Sequence, residues 1–298
     1  MHIVEVYETG KKLYIPENLS ECDSRQYIEM AELILRYQTG LIDYEAMRIQ
    51  SVYKLLNMIP VESKFQEDQD NKLSNIWQVS NLIDTFFDHE NNTRTIKQDY
   101  IDNPVPFYRP VLKTYHGPFE NLYNITFDEY RDGLRIFYQF NADKDINQLY
   151  VLAAMFYRPK KWLHRFRKHL PNYDGDIRQP YNSYQVNERA ERFKAYPIGF
   201  VYGFYLYFAS FQKYLTTARI PWNGNILDFS VIFESDGEVP ETTHPGIGMD
   251  SLFFTMSESG VFGSADRLGK TKMFDVLVRM YDLRIKDIEH KKQNDVKR

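Results

Sequence analysis

The chain has 298 residues, a net charge of −4, 43 % hydrophobic residues and 26 % charged residues. This balance is typical of a folded globular chain and excludes a disordered one, and the mild negative charge argues against a surface that binds nucleic acid or anionic lipid throughout. The only cysteine, Cys22, excludes an intrachain disulfide and a cysteine-based zinc site. No basic stretch followed by an apolar one opens the chain, so no signal peptide is expected.

The N-terminal part of the chain predicts a β-hairpin followed by helices. Short β-prone stretches at 2–7 and 12–15 flank a turn at 9–11. Asp23 and Gln26 have the spacing of a capping box, which opens a helix. Apolar residues at helical spacing predict three helices here, over residues 24–38, 43–58 and 66–89, of which the first two form a helical hairpin.

A proline-rich stretch follows at 91–118. Its β-prone patches, at 95–101 and 111–115, are interrupted by four prolines: Pro104, Pro106, Pro110 and Pro118. Because proline cannot donate to a strand ladder, this stretch predicts a connector or edge strands.

The clearest helix start in the sequence lies at Thr126. Thr126 and Glu129 have the spacing of a capping box, and Ile125 and Tyr130 have that of a hydrophobic staple. A helix therefore begins here.

The remaining elements alternate helices with loops. A loop is predicted at 171–186, a β-prone stretch at 226–233, and an acidic loop with Gly and Pro after it. Thr271 is the predicted N-cap of the last helix. Helices are predicted over residues 144–157 (stopped by Arg158-Pro159), 187–195, 197–215, 249–257 and 271–291.

Together these elements predict a mainly α fold, with only minor β: a globular fold rich in helical hairpins, with an N-terminal β-hairpin and a few short strands. We divide it into a hairpin with helices over 1–90, a Pro-rich connector or edge-strand region over 91–118, and a helical main body over 119–298. One compact domain over the whole chain is the alternative.

Residues 195–212 carry no charge and reach the minimum length of a membrane span, with Gly199 and Gly203 at a helix-packing spacing. The tyrosines in this run would carry hydroxyl groups into hydrocarbon. We therefore predict a helix buried in the protein core, and no membrane partner.

No motif for catalysis, a cofactor or a metal is found. Residues 269–271 (Gly-Lys-Thr) fit the end of a P-loop, but five residues separate Gly269 from Gly263, where the phosphate cradle requires four. The cluster Asp84, Asp88, His89 and Glu90 is predicted to be a polar helix end, since no second cluster of metal ligands supports a site. We predict no catalytic residue, no cofactor and no metal.

The densest basic stretch spans residues 158–169 and is called the basic segment below. Its cations and rings are the predicted partner-binding residues: Arg158, Lys160, Lys161, Trp162, Arg165, Phe166, Arg167 and Lys168. Three interpretations remain open, namely a solvated helix whose rings face the core, a contact with an acidic partner, and a nucleic-acid contact in which rings stack on bases. The acidic loop at 234–241 is a second predicted contact surface.

Two stretches resemble a pattern in proteins encoded by tailed phages of Bacteroidetes-type hosts. Residues 119–130 contain the capped helix start, and residues 149–159 contain an aliphatic helix face and the Arg-Pro stop. The aromatic helix that follows and residues 253–282 are compatible with that group, whose members lie among virion and tail-assembly genes. The resemblance implies a phage structural or morphogenetic protein, and it carries no catalytic residue.

The expectation is therefore a non-enzymatic phage protein that acts by protein–protein contact, as a tail or neck component, a packaged virion protein or an assembly chaperone. Its expected partners are other virion or assembly proteins, or further copies of itself, in the virion or the host cytoplasm. Two alternatives are kept: a nucleic-acid-binding accessory protein that uses the basic segment, and an enzyme with a carboxylate site assembled from distant residues.

Overall fold

The computed structural model describes residues 1–6, 10–61, 66–90, 93–110, 113–171, 173–222, 224–233 and 249–296. The protein is 59 % helical, with twelve α-helices and small sheets of two or three strands among the described residues. The predicted mainly α fold with minor β elements and an N-terminal β-hairpin is confirmed. The acidic loop predicted at 234–241 lies outside the described residues.

The helices are, in chain order, α1 (Ser24–Gln38), α2 (Tyr44–Leu55), α3 (Gln66–Ser80), α4 (Phe127–Asp143), α5 (Ile146–Phe156), α6 (His164–Arg167), α7 (Val186–Phe193), α8 (Ile198–Thr217), α9 (Ser230–Phe233), α10 (Met249–Glu258), α11 (Ala265–Lys270) and α12 (Met273–Val296). The strands are β1 (His2–Val6), β2 (Lys11–Ile15), β3 (Phe87–Glu90), β4 (Thr93–Ile96), β5 (Phe107–Tyr108), β6 (Tyr115–His116), β7 (Arg158–Pro159), β8 (Arg219–Trp222) and β9 (Asn225–Asp228). All strand pairs are antiparallel: β1 with β2, β3 with β4, β5 with β6, β6 with β7, and β8 with β9.

The chain divides into two compact units. The first comprises Met1–Val105 and Glu188–Ser210, and the second comprises Pro106–Asn187 and Phe211–Arg298. The three-part division into 1–90, 91–118 and 119–298 stays a prediction about domains.

In the first unit, helix α1 begins at the predicted capping box. The Asp23 side chain accepts from the Gln26 backbone N–H at 2.8 Å, and the Gln26 side chain accepts from the Asp23 N–H at 3.0 Å. Both bonds satisfy backbone donors that a helix start leaves free. The buried face of α1 includes Tyr27, Met30 and Ile34, which pack in the core of this unit.

The uncharged run 195–212 forms most of α8 and is buried, as predicted. Gly199 and Gly203 lie against α1: an ideal Cβ at Gly199 would stand 2.1 Å from the Ile28 carbonyl oxygen, and one at Gly203 would stand 2.9 Å from the Tyr27 ring. The Tyr27 hydroxyl also donates to the Gly203 carbonyl at 2.8 Å. The glycine spacing therefore serves close helix packing in a protein core. None of the described helices has both the length and the apolar character needed to cross a membrane.

Three predicted elements differ from the structure. The helix predicted over 66–89 ends at Ser80, and a 3₁₀ turn over Asn81–Phe86 and strand β3 replace its second half. Tertiary burial of Ile83 and Phe86, together with the pairing of β3 with β4, overrides the helical spacing.

In the stretch 226–233, β9 ends at Asp228 and the last residues form helix α9. The Asp228 carboxylate accepts from the Ser230 N–H at 3.1 Å, which turns the chain into a helical start.

Thr271 is the C-cap of α11 and not the N-cap of the last helix. Its carbonyl accepts from the Phe127 N–H at 2.9 Å, and the Met273 N–H donates to the Ile125 carbonyl at 3.1 Å. This pairing with the start of α4 holds Thr271 in an extended conformation, which stops one helix before the next begins.

Replacing Gly199 with alanine should destabilise the protein. Alanine favours a helix interior by up to about 1 kcal/mol over glycine, but the added Cβ would overlap a backbone carbonyl that no rotamer change can move. We expect a net loss of about 1–3 kcal/mol in the free energy of unfolding, measured by urea denaturation. Ser251→Ala, at an exposed position of α10, is the control. Equal stability of Gly199→Ala and the wild type would contradict the close packing.

Candidate functional site

The basic segment begins in the core of the second unit and then runs along its surface. Strand β7 pairs with β6, with Arg158 opposite His116 and Pro159 opposite Tyr115. The Lys161 N–H donates to the Ile177 carbonyl at 2.9 Å. Beyond this bond the chain turns at Leu163, which adopts the left-handed conformation with φ of 56°, and enters the short helix α6.

The rings of the segment face solvent. Trp162 is 77 % exposed and Phe166 is 73 % exposed, and the neighbouring Leu163 and Leu170 are about half exposed. Large apolar side chains that adjoin on a surface mark a contact site more often than isolated ones do. The interpretation in which these rings face the core is therefore wrong.

Four cations of the segment have no carboxylate within ion-pair distance among the described residues: Lys160, Arg165, Arg167 and Lys168. All four are exposed. Lys161 differs, because its ammonium group lies 2.6 Å from an Asp174 carboxylate oxygen. The segment thus offers charge for a partner to neutralise.

Arg158 lies apart from the other seven predicted partner-binding residues. Its side chain is 1 % exposed, and its Nη1 atom lies 2.6 Å from Oε1 of Glu129. The contact is an ion pair, and Oε1 accepts no hydrogen bond from the described residues. Burial lowers the pKa of Arg158 to about 10 against the raising effect of Glu129, so the guanidinium stays charged at neutral pH. Arg158 therefore belongs to the core and not to the exposed surface.

Arg158 and Glu129 are half of a buried ion-pair cluster that Arg178 and Asp176 complete. The Arg178 side chain is fully buried, and its Nη2 lies 2.7 Å from Asp176 Oδ2 and 3.4 Å from Glu129 Oε1. Although burial opposes it, Arg178 lowers the pKa of Asp176. With two guanidinium groups and two carboxylates, the cluster is neutral, which is how four ionised groups persist in a core.

Arg178 also ties separate elements together through backbone carbonyls. Its Nη1 donates to the Phe156 carbonyl at 3.0 Å, at the C-terminal end of α5, and its Nη2 donates to the Asn124 carbonyl at 3.4 Å, just before α4. The Phe156 carbonyl lies at a helix end, where carbonyls lack partners within the helix. The bond from Arg178 therefore satisfies an acceptor that would otherwise stay unpaired.

An open groove of about 810 Å³ borders the basic segment and includes Trp162 and Arg167 in its lining. A smaller cavity of about 240 Å³ adjoins it and includes all four cluster residues. The two spaces share five lining residues: Asp128, Lys161, Pro180, Tyr181 and Lys270.

Two carboxylates of α4 and a tyrosine converge on the groove. The Tyr181 hydroxyl donates to Asp132 at 2.8 Å, and burial together with Asp132 raises the pKa of Tyr181. Burial also raises the pKa of Asp128 above its ordinary value, against the lowering effect of Arg131. Because carboxylates converge in a concave site, the alternative of an enzyme with a dispersed carboxylate site stays a hypothesis.

The Gly-Lys-Thr stretch takes part in this site without forming a phosphate cradle. Gly269 lies at the end of α11, and an ideal Cβ there would stand 2.1 Å from Asp128 Oδ2, so a carboxylate occupies the space beside its backbone. Lys270 pairs with Asp266 at 2.7 Å. Within the described residues, no group of three or more His, Cys, Asp or Glu is placed to hold a metal ion.

Sequence reasoning found Glu129 only as a helix cap and did not find Asp176 or Arg178, which fall in the predicted loop 171–186. No periodicity marks charged residues in a loop. The one available signal is Arg158, the first charge directly after the apolar run 151–157, most of which forms the end of α5.

No family model, no curated protein and no solved structure matches this chain.

Asp176→Asn should destabilise the protein and change its response to acid. Removing one partner of a buried ion pair costs about 3–5 kcal/mol, because Arg178 keeps its charge. The lowered native pKa of Asp176 means that its stabilising contribution is present above the ordinary carboxyl pKa and is lost as the pH falls through the native value. The variant should therefore lose less stability than the wild type between about pH 4 and the native pKa, measured by urea unfolding at several pH values.

The matched control is Asp266→Asn, which breaks an exposed pair with Lys270. Exposed pairs contribute little, so this variant should unfold like the wild type. Identical unfolding of Asp176→Asn and Asp266→Asn would contradict the role of the cluster.

Proposed function

We propose that this chain is a non-enzymatic structural or assembly protein of a tailed-phage particle, which works by protein–protein contact through the basic segment. The observation that carries the contact is the exposed pair of rings, Trp162 and Phe166, among four cations without carboxylate partners. The particle assignment is supported only by the resemblance of residues 119–130 and 149–159 to phage virion and tail-assembly proteins. Under this proposal the protein is a tail or neck component, a packaged virion protein or an assembly chaperone.

A protein partner with an acidic and apolar surface fits the segment. Leu163 and Leu170 add aliphatic area that does not stack on bases, and desolvated rings and arginines are the usual anchors of protein interfaces. These features favour a protein over a nucleic acid.

Charge reversal of the segment tests the proposal. In the triple variant Arg165→Glu, Arg167→Glu and Lys168→Glu, we expect loss of self-association, or of complexes with the purified structural proteins of the particle, because the variant repels an acidic partner. Light scattering gives the mass of the protein alone and of each mixture. The control reverses three exposed cations outside the segment, with Lys12→Glu, Arg109→Glu and Arg219→Glu.

The control variant should associate as the wild type does. The proposal fails if the wild type is a monomer that forms no complex with any of those structural proteins. It also fails if the triple variant binds as tightly as the wild type at several salt concentrations.

Nucleic-acid binding is the second candidate, because the same cations and rings can contact phosphates and stack on bases. Its signature is an affinity for a single-stranded oligonucleotide that falls steeply as salt rises and that Trp162→Ala weakens by about 1–3 kcal/mol. A gel shift at low salt measures it. Absence of retention by the wild type removes this candidate.

A further inference from the structure

We propose that the cavity of about 240 Å³ binds a small oxyanion, a phosphate or carboxylate group, held by Asn124, Arg158 and Lys272. All three residues line the cavity. The site belongs to the second unit, and it does not require the partner contact proposed for the exposed rings of the basic segment.

Two buried side chains at the cavity have a nitrogen without an acceptor among the described residues. Asn124 is 3 % exposed; its Oδ1 accepts from the Phe119 N–H at 2.8 Å, but its Nδ2 has no partner. Arg158 is 1 % exposed, and its Nε likewise has no partner. A buried N–H left unpaired costs about 1–3 kcal/mol. Two of them beside one cavity indicate a ligand that supplies acceptors.

Lys272 is the third donor and the one cation of the cavity lining without a carboxylate within ion-pair distance among the described residues. Its Nζ donates to the Asn124 carbonyl at 3.3 Å, and an ammonium group has three donors to place. Backbone pairing of Lys272 with Thr126 fixes its position beside α4. A positive charge and unused donors therefore belong to residues that line the same cavity.

The carboxylates of the lining do not neutralise Lys272, because each has another cation. Glu129 and Asp176 pair with the two buried arginines, and Asp174 pairs with Lys161. Asp128 lies 3.2 Å from Arg131. The lining also contains one buried acceptor without a hydrogen bond from the described residues, Glu129 Oε1, which lies 2.6 Å from the Arg158 guanidinium. Two unpaired nitrogens and the Lys272 ammonium group outnumber it, so the cavity favours an anion over a cation.

The cavity exceeds the size of one oxyanion and shares five lining residues with the 810 Å³ groove. The oxyanion can thus be a free ion or the charged end of a larger molecule that extends into the groove. Phosphate and carboxylate share this chemistry, and the choice of probe separates them.

Isothermal titration of the full chain with sodium phosphate, and separately with sodium acetate, tests the site. We expect saturable binding of at least one of these probes. Asn124→Asp keeps the size of the side chain and the acceptor for the Phe119 N–H, but it replaces the free NH₂ group with a carboxylate oxygen. This variant should bind at least ~10-fold more weakly, because it loses a donor to the anion and gains a negative charge. A tenfold loss of affinity corresponds to about 1.4 kcal/mol. Lys272→Met, which removes the charge, should have the same effect.

The control is Lys286→Met, which removes an exposed cation of the same unit that pairs with Asp282 and does not line the cavity. Its affinity should stay within about twofold of the wild-type value, a change of less than 0.5 kcal/mol by the same conversion of about 1.4 kcal/mol per tenfold. Thermal unfolding of each variant checks that the fold persists.

Selective binding of phosphate assigns a phosphate-bearing ligand, and equal binding of acetate assigns a carboxylate. The proposal is overturned if neither probe gives saturable heat, or if Asn124→Asp and Lys272→Met, both folded, bind as the wild type does.

Discussion

The second unit depends on the neutralisation of Arg178 in its core. This fully buried guanidinium is held by Asp176 and Glu129, and it donates to the carbonyls of Phe156 and Asn124. It thereby joins the end of α5, the segment just before α4 and the later loop that contains Asp176. A core that holds ionised groups tolerates few alternative arrangements, because any shift leaves a charge without its partner.

The surface features follow from that buried cluster. Arg158, the first residue of the basic segment, is buried and pairs with Glu129. The exposed rings therefore follow a residue that is held in the core. Lys160 is the first exposed residue of the segment, and Lys161 after it pairs with Asp174. The same cluster lines the smaller cavity, which shares lining residues with the groove. The proposed partner surface and the proposed anion site thus adjoin the same set of buried ion pairs.

The sequence predicted those features that depend on local spacing. Both capping boxes, at Asp23 and Thr126, and the buried uncharged helix α8 are present. Prediction failed where distant residues decide the conformation: Thr271 is held extended by its bond to Phe127, although the local pattern favours a helix start. The candidate site was found only in part for the same reason. The exposed rings lie in one segment and were identified, whereas three of the groups that Arg178 contacts, on Glu129, Phe156 and Asn124, lie more than twenty positions away.

Leu163 is a leucine at a turn whose backbone conformation favours glycine. A leucine with positive φ is strained, at about 1–3 kcal/mol, and glycine would adopt the same conformation freely. Yet the chain places a large aliphatic side chain there, 45 % exposed and next to Trp162. Leu163 thus widens the apolar face of the segment at the expense of local stability. That trade-off is intelligible when the side chain is covered in an assembled state, where its burial offsets the strain.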